Sequence, residues 1–360
     1  MIIKTLELSN FRNYEQLNVS LSPNVSILYG ENAQGKTNIL EAIYLASTTK
    51  SQKGSRDKDM IKLGESEAHI MMVIENNGVD RVIDMHLRSN KPKGVAIDKI
   101  PIKKASELYG MMNIISFSPD DLSIVKAGPA ERRHFCDMEL CQLDKLYMHN
   151  LSGYLRSLDQ RNNLLKQVSM NPELKETLNI WDEQLVSFGN YIIESRDKFI
   201  KELSEIASKI HKKLTNDKEN LEIKYIPSSS SESFKNELSE SRERDIYLKM
   251  TNVGPHRDDM EFIINGEDGK KFGSQGQQRT ICLTLKLAEI ELVKAKTGAN
   301  PVLLLDDVLS ELDENRQTKL LDSINGIQTI ITCTGLDGFV KNRISYDRVL
   351  RVKNGTVTVE

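Results

Sequence analysis

The sequence predicts an α/β fold: a mixed sheet with an antiparallel β-lobe, built from two stretches of chain (1–134 and 246–360) that an inserted helical arm (135–245) separates. Three observations carry that expectation. An apolar strand near the start runs into a glycine loop and then a helix. A second apolar strand, near the end, stops at two aspartates. Between them, apolar residues recur at helical spacing over a long stretch.

Leu6 and Leu8 alternate with polar neighbours, as do Val19 and Leu21, so the chain opens in strands. Val25 to Tyr29 is a further strand that meets Gly30, and Lys36 to Ser47 carries Ile39, Leu40, Ile43 and Tyr44 at helical spacing. From Met71 to Ile102 period two returns: Ile83, Met85 and Leu87 alternate with Asp84, His86 and Arg88, and residues 89–94 form a turn. In the middle, Leu140, Leu143, Tyr147, Leu151, Tyr154, Leu158 and Leu165 fall on one stripe. After a break at Met170-Asn171-Pro172, a second stripe runs from Leu178 through Trp181, Leu185 and Phe199 to Leu214. Two amphipathic helices with a short break suggest an antiparallel hairpin. At 1.5 Å per residue, roughly 35 residues in each would make an arm of about 50 Å. Ser228 to Ser233 reads as an exposed loop, Gln277 to Lys296 as a helix, and Val302–Leu305 and Thr329–Thr332 as short strands.

Composition bounds the function. With 39% hydrophobic and 28% charged residues in 360, the chain is globular rather than disordered or fibrous. Its apolar runs fall far short of the roughly 20 residues that cross a bilayer, so no membrane role is expected. The N-terminus meets Glu7 too early for a signal-peptide core, and Cys136, Cys141, Cys282 and Cys333 lie scattered, which suits a reducing cytoplasm. The six histidines do not cluster along the sequence, so no obvious metal centre is expected from them. A net charge of −3 excludes a strongly basic nucleic-acid binder but leaves room for a local basic patch.

Gly30-Glu31-Asn32-Ala33-Gln34-Gly35-Lys36-Thr37 fits the pattern G-x-x-x-x-G-K-S/T, and it sits between a strand and a helix as that pattern requires. Glycines let backbone N–H groups turn inward around phosphate oxygens, and the helix N-terminus adds its positive end. These eight residues and the following Asn38 are the candidate ATP-binding residues. Lys36 would neutralise the β/γ-phosphates and the Thr37 hydroxyl would ligate Mg²⁺. Val302-Leu303-Leu304-Leu305-Asp306-Asp307 is the matching second element. Asp306 is the candidate Mg²⁺ partner, and Asp307 the candidate catalytic residue that positions or deprotonates the attacking water.

Two further stretches narrow the class. Ser274-Gln275-Gly276-Gln277, just before a helix, resembles the L-S-G-G-Q signature of ABC-type ATPases, with Gln275 where that family has glycine. Ser310-Glu311-Leu312-Asp313 resembles the same family's D-loop. The resemblance implies that Ser274, Gln275, Gly276 and Gln277 meet the γ-phosphate held by an opposite subunit, with Ser310 and Asp313 at the same junction. ATP would then glue a homodimer. Asn10-Phe11-Arg12 resembles the N-F-R stretch of SMC-like ATPases, in which the arginine approaches the nucleotide, and so implies Arg12 as an ATP-binding residue.

SMC proteins insert a long coiled coil between their ATPase halves, whereas only a short arm fits here. That short arm, together with G-E-N-A-Q-G-K-T-N, S-Q-G-Q-Q-R-T and L-L-L-D-D-V-x-S-E-L-D, resembles the RecF family of bacterial recombination mediators. Ser118 to Leu122, Gly128-Pro129, Arg132-Arg133 and Gly254 to Asp259 agree with it. The resemblance implies an ABC-type, SMC-like P-loop ATPase head, a weak DNA-stimulated ATPase with ATP and Mg²⁺ as cofactors, and a place in DNA replication, DNA repair and the SOS response. It also implies binding to double-stranded and gapped DNA, partnership with RecR and RecO in loading RecA, and a cytoplasmic, nucleoid-associated location. One departure stands out. No histidine follows the strand at 329–332, so Thr332 or Thr334 takes the γ-phosphate sensor position, which suits slow turnover. The Q-loop position falls at 116–121, with Asp120 or Asp121 facing the site.

For DNA the candidates are Lys53 and Arg56 after the P-loop helix, and Lys91, Lys93, Lys103 and Lys104 in the β-lobe, where with Arg88 and Lys99 they make six cations around one acid, Asp98. Phosphate contacts of this kind give affinity without sequence preference, and a solvated face is the competing reading. Two other functions compete: a P-loop kinase or small-molecule transferase, which needs neither signature nor D-loop, and an ABC transporter subunit, which the arm's position and the missing histidine disfavour.

Overall fold

The structure, a computed structural model, describes residues 1–52, 54–104, 107–168, 170–335 and 346–360. It comprises two compact units, Met1–Asp121 with Glu289–Glu360, and Leu122–Ala288. The second unit is larger than the arm read from the sequence at 135–245, since 122–134 and 246–288 group with the helices.

The first unit holds two six-stranded sheets. One is antiparallel: β1 (Ile2–Phe11), β2 (Tyr14–Ser20), β4 (Glu67–Asn76), β5 (Val79–Arg88), β6 (Gly94–Ile97) and β7 (Ile100–Pro101), in the order β2-β1-β4-β5-β6-β7. Along β4 the residues Ala68, Ile70, Met72 and Ile74 are buried while those between them are half-exposed, the alternation of a sheet with one solvated face. Asn77 and Gly78, both at positive φ, join β4 to β5 as a two-residue hairpin turn. That turn sets the register Ala68↔Leu87, His69↔His86, Ile70↔Met85 and Met71↔Asp84. The expectation that the histidines stay apart therefore fails here: a separation of 17 positions in the chain becomes a cross-strand pair, with Asp84 beside it.

The other sheet has the order β15-β14-β3-β13-β12-β8. Its strands β3 (Val25–Tyr29), β8 (Ile114–Phe117), β12 (Val302–Asp306), β13 (Thr329–Cys333) and β14 (Arg348–Lys353) run parallel, and β15 (Thr356–Val359) pairs antiparallel with β14. The apolar runs of β12 and β13 are buried throughout, as central parallel strands require. Helix α1 (Lys36–Thr48) touches both sheets and buries Ile39, Leu40, Ala42, Ile43, Leu45 and Ala46, so it is apolar nearly all round. With β3 and β12 flanking β13, the loop after β3 and the end of β12 open on the same edge, the place where α/β sheets bind ligands.

The second unit begins with α2 (Leu122–Lys126) and α3 (Pro129–Leu143), followed by the long pair α4 (Lys145–Val168) and α5 (Leu178–Thr215). Contacts between Tyr147 and Arg196, Ser157 and Gln184, and Arg161 and Asp182 descend one helix as they climb the other, so the pair is an antiparallel hairpin. The stripe that begins at Leu140 is not one helix. Asp144 is extended (φ −139°), and its carboxylate accepts the Leu146 N–H at 2.8 Å and the Tyr191 hydroxyl at 2.7 Å, which ends α3 and starts α4. The hairpin's helices have 24 and 38 residues instead of two equal lengths. They measure about 36 and 57 Å.

A small sheet of β9 (Leu221–Ile226), β10 (Asp259–Ile264) and β11 (Glu267–Asp268) packs on α3 and α5. Helices α6 (Phe234–Glu240) and α7 (Arg242–Leu248) follow β9. The loop before α6 is not fully exposed: Ser229 is 5% exposed, and the Ser228 N–H donates to Asp258 at 2.8 Å. Helix α8 (Gln275–Thr297) continues from this unit into the first, which it completes with α9 (Glu314–Ser323).

Candidate nucleotide site

The loop from Gly30 to Thr37 is shaped by what surrounds it. A Cβ on Gly30 would stand 2.2 Å from the Val352 carbonyl oxygen, so only glycine lets β14 lie beside the loop. Gly35 takes φ +113° at the N-cap of α1, where a Cβ would strike the Asn13 side chain at 2.5 Å. As a glycine it also offers no side chain to cap the helix; the Asn38 N–H donates to the Gly35 carbonyl at 3.0 Å, and the remaining first-turn N–H groups can take a ligand. Asn13 Nδ2 donates to the Gln34 carbonyl at 2.9 Å, the Tyr14 hydroxyl to the Gly35 carbonyl at 3.1 Å, and Asn38 Nδ2 to Asn13 Oδ1 at 2.8 Å. The Asn354 N–H donates to Gln34 Oε1 at 2.6 Å. Of these fasteners Asn38 and Gln34 are sequence candidates. Asn13, Tyr14 and Asn354 act across long stretches of chain, which local spacing does not reveal.

Lys36 is buried, and its ammonium donates to the carbonyls of Gly30 at 2.5 Å and Glu31 at 2.8 Å. It lies curled under the loop, with the backbone as its acceptor. Beside it, Asp306 Oδ1 accepts from the Thr37 hydroxyl at 2.9 Å and from the Thr332 hydroxyl at 2.8 Å. Thr332 Oγ1 in turn accepts the Asp307 N–H at 2.9 Å. Register explains this: Asp306 ends β12 directly opposite Thr332 on β13. Asp307 then turns left-handed, at φ +54°. Burial pushes its carboxyl above the ordinary aspartate value; Asp306 and Glu311 add to the rise, and the Ser310 hydroxyl and the Lys36 ammonium oppose it. Lys36, Thr37, Asp306, Asp307 and Thr332 are thus brought together, whereas Thr334 is exposed.

The Thr37 hydroxyl and the Asp306 carboxylate suit Mg²⁺. Neighbouring ligands of an octahedral ion with bonds of 2.0–2.1 Å stand about 2.9 Å apart, which is the Thr37–Asp306 separation of 2.9 Å. An oxygen-only pair is also the ligand chemistry that ion prefers.

Other sequence candidates hold different partners. Arg12 is clamped by Glu41 of α1, Nε to Oε2 and Nη2 to Oε1 both at 2.8 Å, and Nη1 donates to the Asp59 carbonyl at 2.7 Å. Its charge is therefore committed to the helix behind the loop. Asp121 accepts the Ser118 N–H at 2.6 Å, a turn within its own segment. Ser310 donates to the Asp307 carbonyl at 2.7 Å, and Asp313 caps α9 by accepting the Arg316 N–H at 3.0 Å.

In the second unit, Ser274 is the N-cap of α8. The Gln277 N–H donates to Ser274 Oγ at 3.2 Å and the Ser274 N–H to Gln277 Oε1 at 2.8 Å, a reciprocal capping box. Gln277 Nε2 also donates to Glu219, whose other oxygen meets the buried His211 of α5 at 3.2 Å. Gln275 is exposed and Gly276 half-buried.

Among the basic candidates, Arg56, Lys91, Lys103 and Lys104 are exposed. Lys93 is half-buried and paired with Asp57 at 2.8 Å. Glu107 accepts the backbone N–H groups of Lys103 and Lys104, so two more acids than Asp98 lie beside the patch. Lys53 lies outside the described residues.

The family described as the RecF/RecN/SMC N terminal domain matches residues 2–358. The DNA replication and repair protein RecF of Lachnoclostridium phytofermentans is 62% identical over 357 residues, covering 99% of both chains. That of Agathobacter rectalis is 58% identical over 359 residues, covering 100% of this chain and 99% of its own. A solved structure of the recombination mediator protein RecF with ATP in the RecFOR pathway superposes with a TM-score of 0.93 at 34% identity, over 99% of this chain and 97% of that one. The Smc head domain from Pyrococcus furiosus, at 17% identity and a TM-score of 0.57 over 99% and 95%, shares the fold.

Proposed function

Because the chain belongs to the RecF family, within the RecF/RecN/SMC group of ABC-type ATPase heads, we propose that it is an ATP-gated DNA-repair mediator. In this reading it dimerises on ATP, holds duplex DNA beside single-strand gaps, and works with RecR and RecO to load RecA. Slow hydrolysis resets it. The observation that carries the reading is the convergence of Thr37, Asp306 and Thr332 beside Lys36 at the open edge of the parallel sheet. A kinase uses the first of these elements but has no use for the signature and D-loop stretches.

On nucleotide binding, Lys36 exchanges its two loop carbonyls for β/γ-phosphate oxygens, and the loop N–H groups and the α1 N-terminus take the rest of the charge. Thr37 and Asp306 would hold Mg²⁺, which would supply positive charge against the phosphates. Asp307, made more basic by burial, accepts the proton of the attacking water. Ser274 of a second copy closes the γ-phosphate. Its hydroxyl oxygen already accepts within the capping box, but its O–H proton remains to donate. Of Thr332 and Thr334, the two candidates for the position where transporters carry a histidine, Thr332 is the buried one. It is engaged by Asp306 and Asp307, which supports slow turnover.

Molecular mass measured with and without ATP, then with gapped DNA, tests the reading. The expected result is a monomer that doubles on ATP and then binds DNA, and a Lys36→Ala variant that does neither. A wild-type chain that stays monomeric with saturating ATP overturns it.

A further inference from the structure

We infer that His69, His86 and Asp84 form a binding site for a transition-metal ion of the Zn²⁺ class on the solvent-facing side of the antiparallel sheet. The site is independent of the nucleotide. The Asn77-Gly78 turn fixes the register, and the register sets His69 of β4 opposite His86 of β5. Asp84 lies two residues before His86, so both project to the same side. The alternate residues Ala68, Ile70, Met85 and Leu87 are buried on the other side. The three ligands therefore stand on a rigid frame with water above it.

Distances favour coordination. His69 Nε2 is 2.6 Å from Asp84 Oδ1, and His86 Nε2 is 3.6 Å from the same oxygen. All three ligand atoms lie within 4.8 Å of one another, and the two imidazole rings are 4.3 Å apart between centroids. In a tetrahedral site with bonds near 2.0–2.1 Å, ligand atoms stand about 3.3 Å apart. The set straddles that value, and the side chains keep 28–48% of their exposure, so small rotamer changes suffice.

Ligand chemistry selects the ion. Two imidazoles with one carboxylate suit Zn²⁺, Co²⁺, Ni²⁺ or Cu²⁺; Mg²⁺ prefers oxygen ligands in an octahedron. The site therefore does not duplicate the Thr37–Asp306 pair. Three protein ligands leave the fourth tetrahedral position to water or an anion. Bound metal bridges β4 to β5, the hairpin whose far strand leads into the segment carrying Lys91 and Lys93.

The test uses the full chain, stripped with chelator and free of nucleotide, titrated with Co²⁺ and then Zn²⁺. One Co²⁺ per chain is expected, with the visible absorption of a tetrahedral site, displaced by Zn²⁺ and not by millimolar Mg²⁺. His69→Ala, His86→Ala and Asp84→Asn should each weaken binding by more than about tenfold, since even the loss of a group that only orients a ligand costs 10–100-fold. The double histidine variant should abolish it. ATP binding should be unchanged in every variant, which also shows that each is folded. A wild-type chain that takes up no Co²⁺, or a double variant that retains it, reduces the cluster to a hydrogen-bonded His–Asp pair and overturns the inference.

Discussion

In the proposed function, Asp307 is the residue on which hydrolysis turns. Its left-handed backbone, which costs most residues roughly 1–2 kcal/mol and aspartate less, is held by the Thr332 hydroxyl. That geometry turns the chain sharply after Asp306, so two adjacent carboxylates can take different work. A base must be ionised, and this one has a raised pKa. Hydrolysis should therefore be lost as pH falls through a value higher than the roughly 3.9 of an ordinary aspartate. Asp307→Asn keeps the shape and loses the base. It should bind ATP, hydrolyse it at least about 100-fold more slowly, and lose the acid limb of the pH profile. Single-turnover hydrolysis between pH 4 and 8 checks both points. Turnover near wild type would assign the water to another residue.

At the scale of the element, the N-terminus of α8 separates two roles for one serine. As a cap alone, Ser274 is worth about 1 kcal/mol of stability, and its loss should leave association untouched. As a donor to a second copy's nucleotide, Ser274→Arg should leave a folded, ATP-binding chain that does not dimerise. Mixing it with Lys36→Ala should restore part of the association, because one composite site then has both an intact loop and an intact signature. Sedimentation of each variant alone and of the mixture, with ATP, decides; an ATP dimer from the Ser274 variant alone refutes the donor role. The capping box was within reach of sequence reading, since serine followed three residues later by glutamine is a local pattern. The early strands, those from Met71 to Ile102, and those at Val302–Leu305 and Thr329–Thr332 were equally legible, because burial on one face or on two leaves a period of two or an apolar run, whereas β8, β9, β10, β14 and β15 were not read from the sequence. What escaped is non-local or local in the wrong way. The stripe through Leu140 and Leu143 continues past Asp144 in the sequence, although Asp144 breaks the helix there by taking the Leu146 N–H. Arg12 finds Glu41, and Asn13 finds Gln34, only once β1 and α1 have packed.

At the scale of the molecule, DNA binding as proposed would set a chain of net charge −3 against its own overall field. Affinity should fall steeply with salt. Neutralising the exposed Lys91, Lys103 and Lys104 should flatten the log–log slope by up to about 0.9 for each DNA phosphate left without its cation. Neutralising Lys93, already paired with Asp57, should change it little. Fluorescence anisotropy on gapped duplexes across a salt series reads both slopes. An unaltered slope in the triple variant would make the patch a solvated face.

The contact of β14 with the nucleotide loop has a consequence for the order in which the protein can become competent. Val352 lies against Gly30 and Asn354 holds Gln34, yet more than three hundred residues of synthesis separate the two ends. A nascent chain on the ribosome can form α1 and the antiparallel sheet early. Its glycine loop, however, waits for β12 to supply Asp306, for β13 to supply Thr332, and for β14 to close the far side. Competence for nucleotide thus arrives late in translation, and chains released before that strand emerges carry the motif without the site.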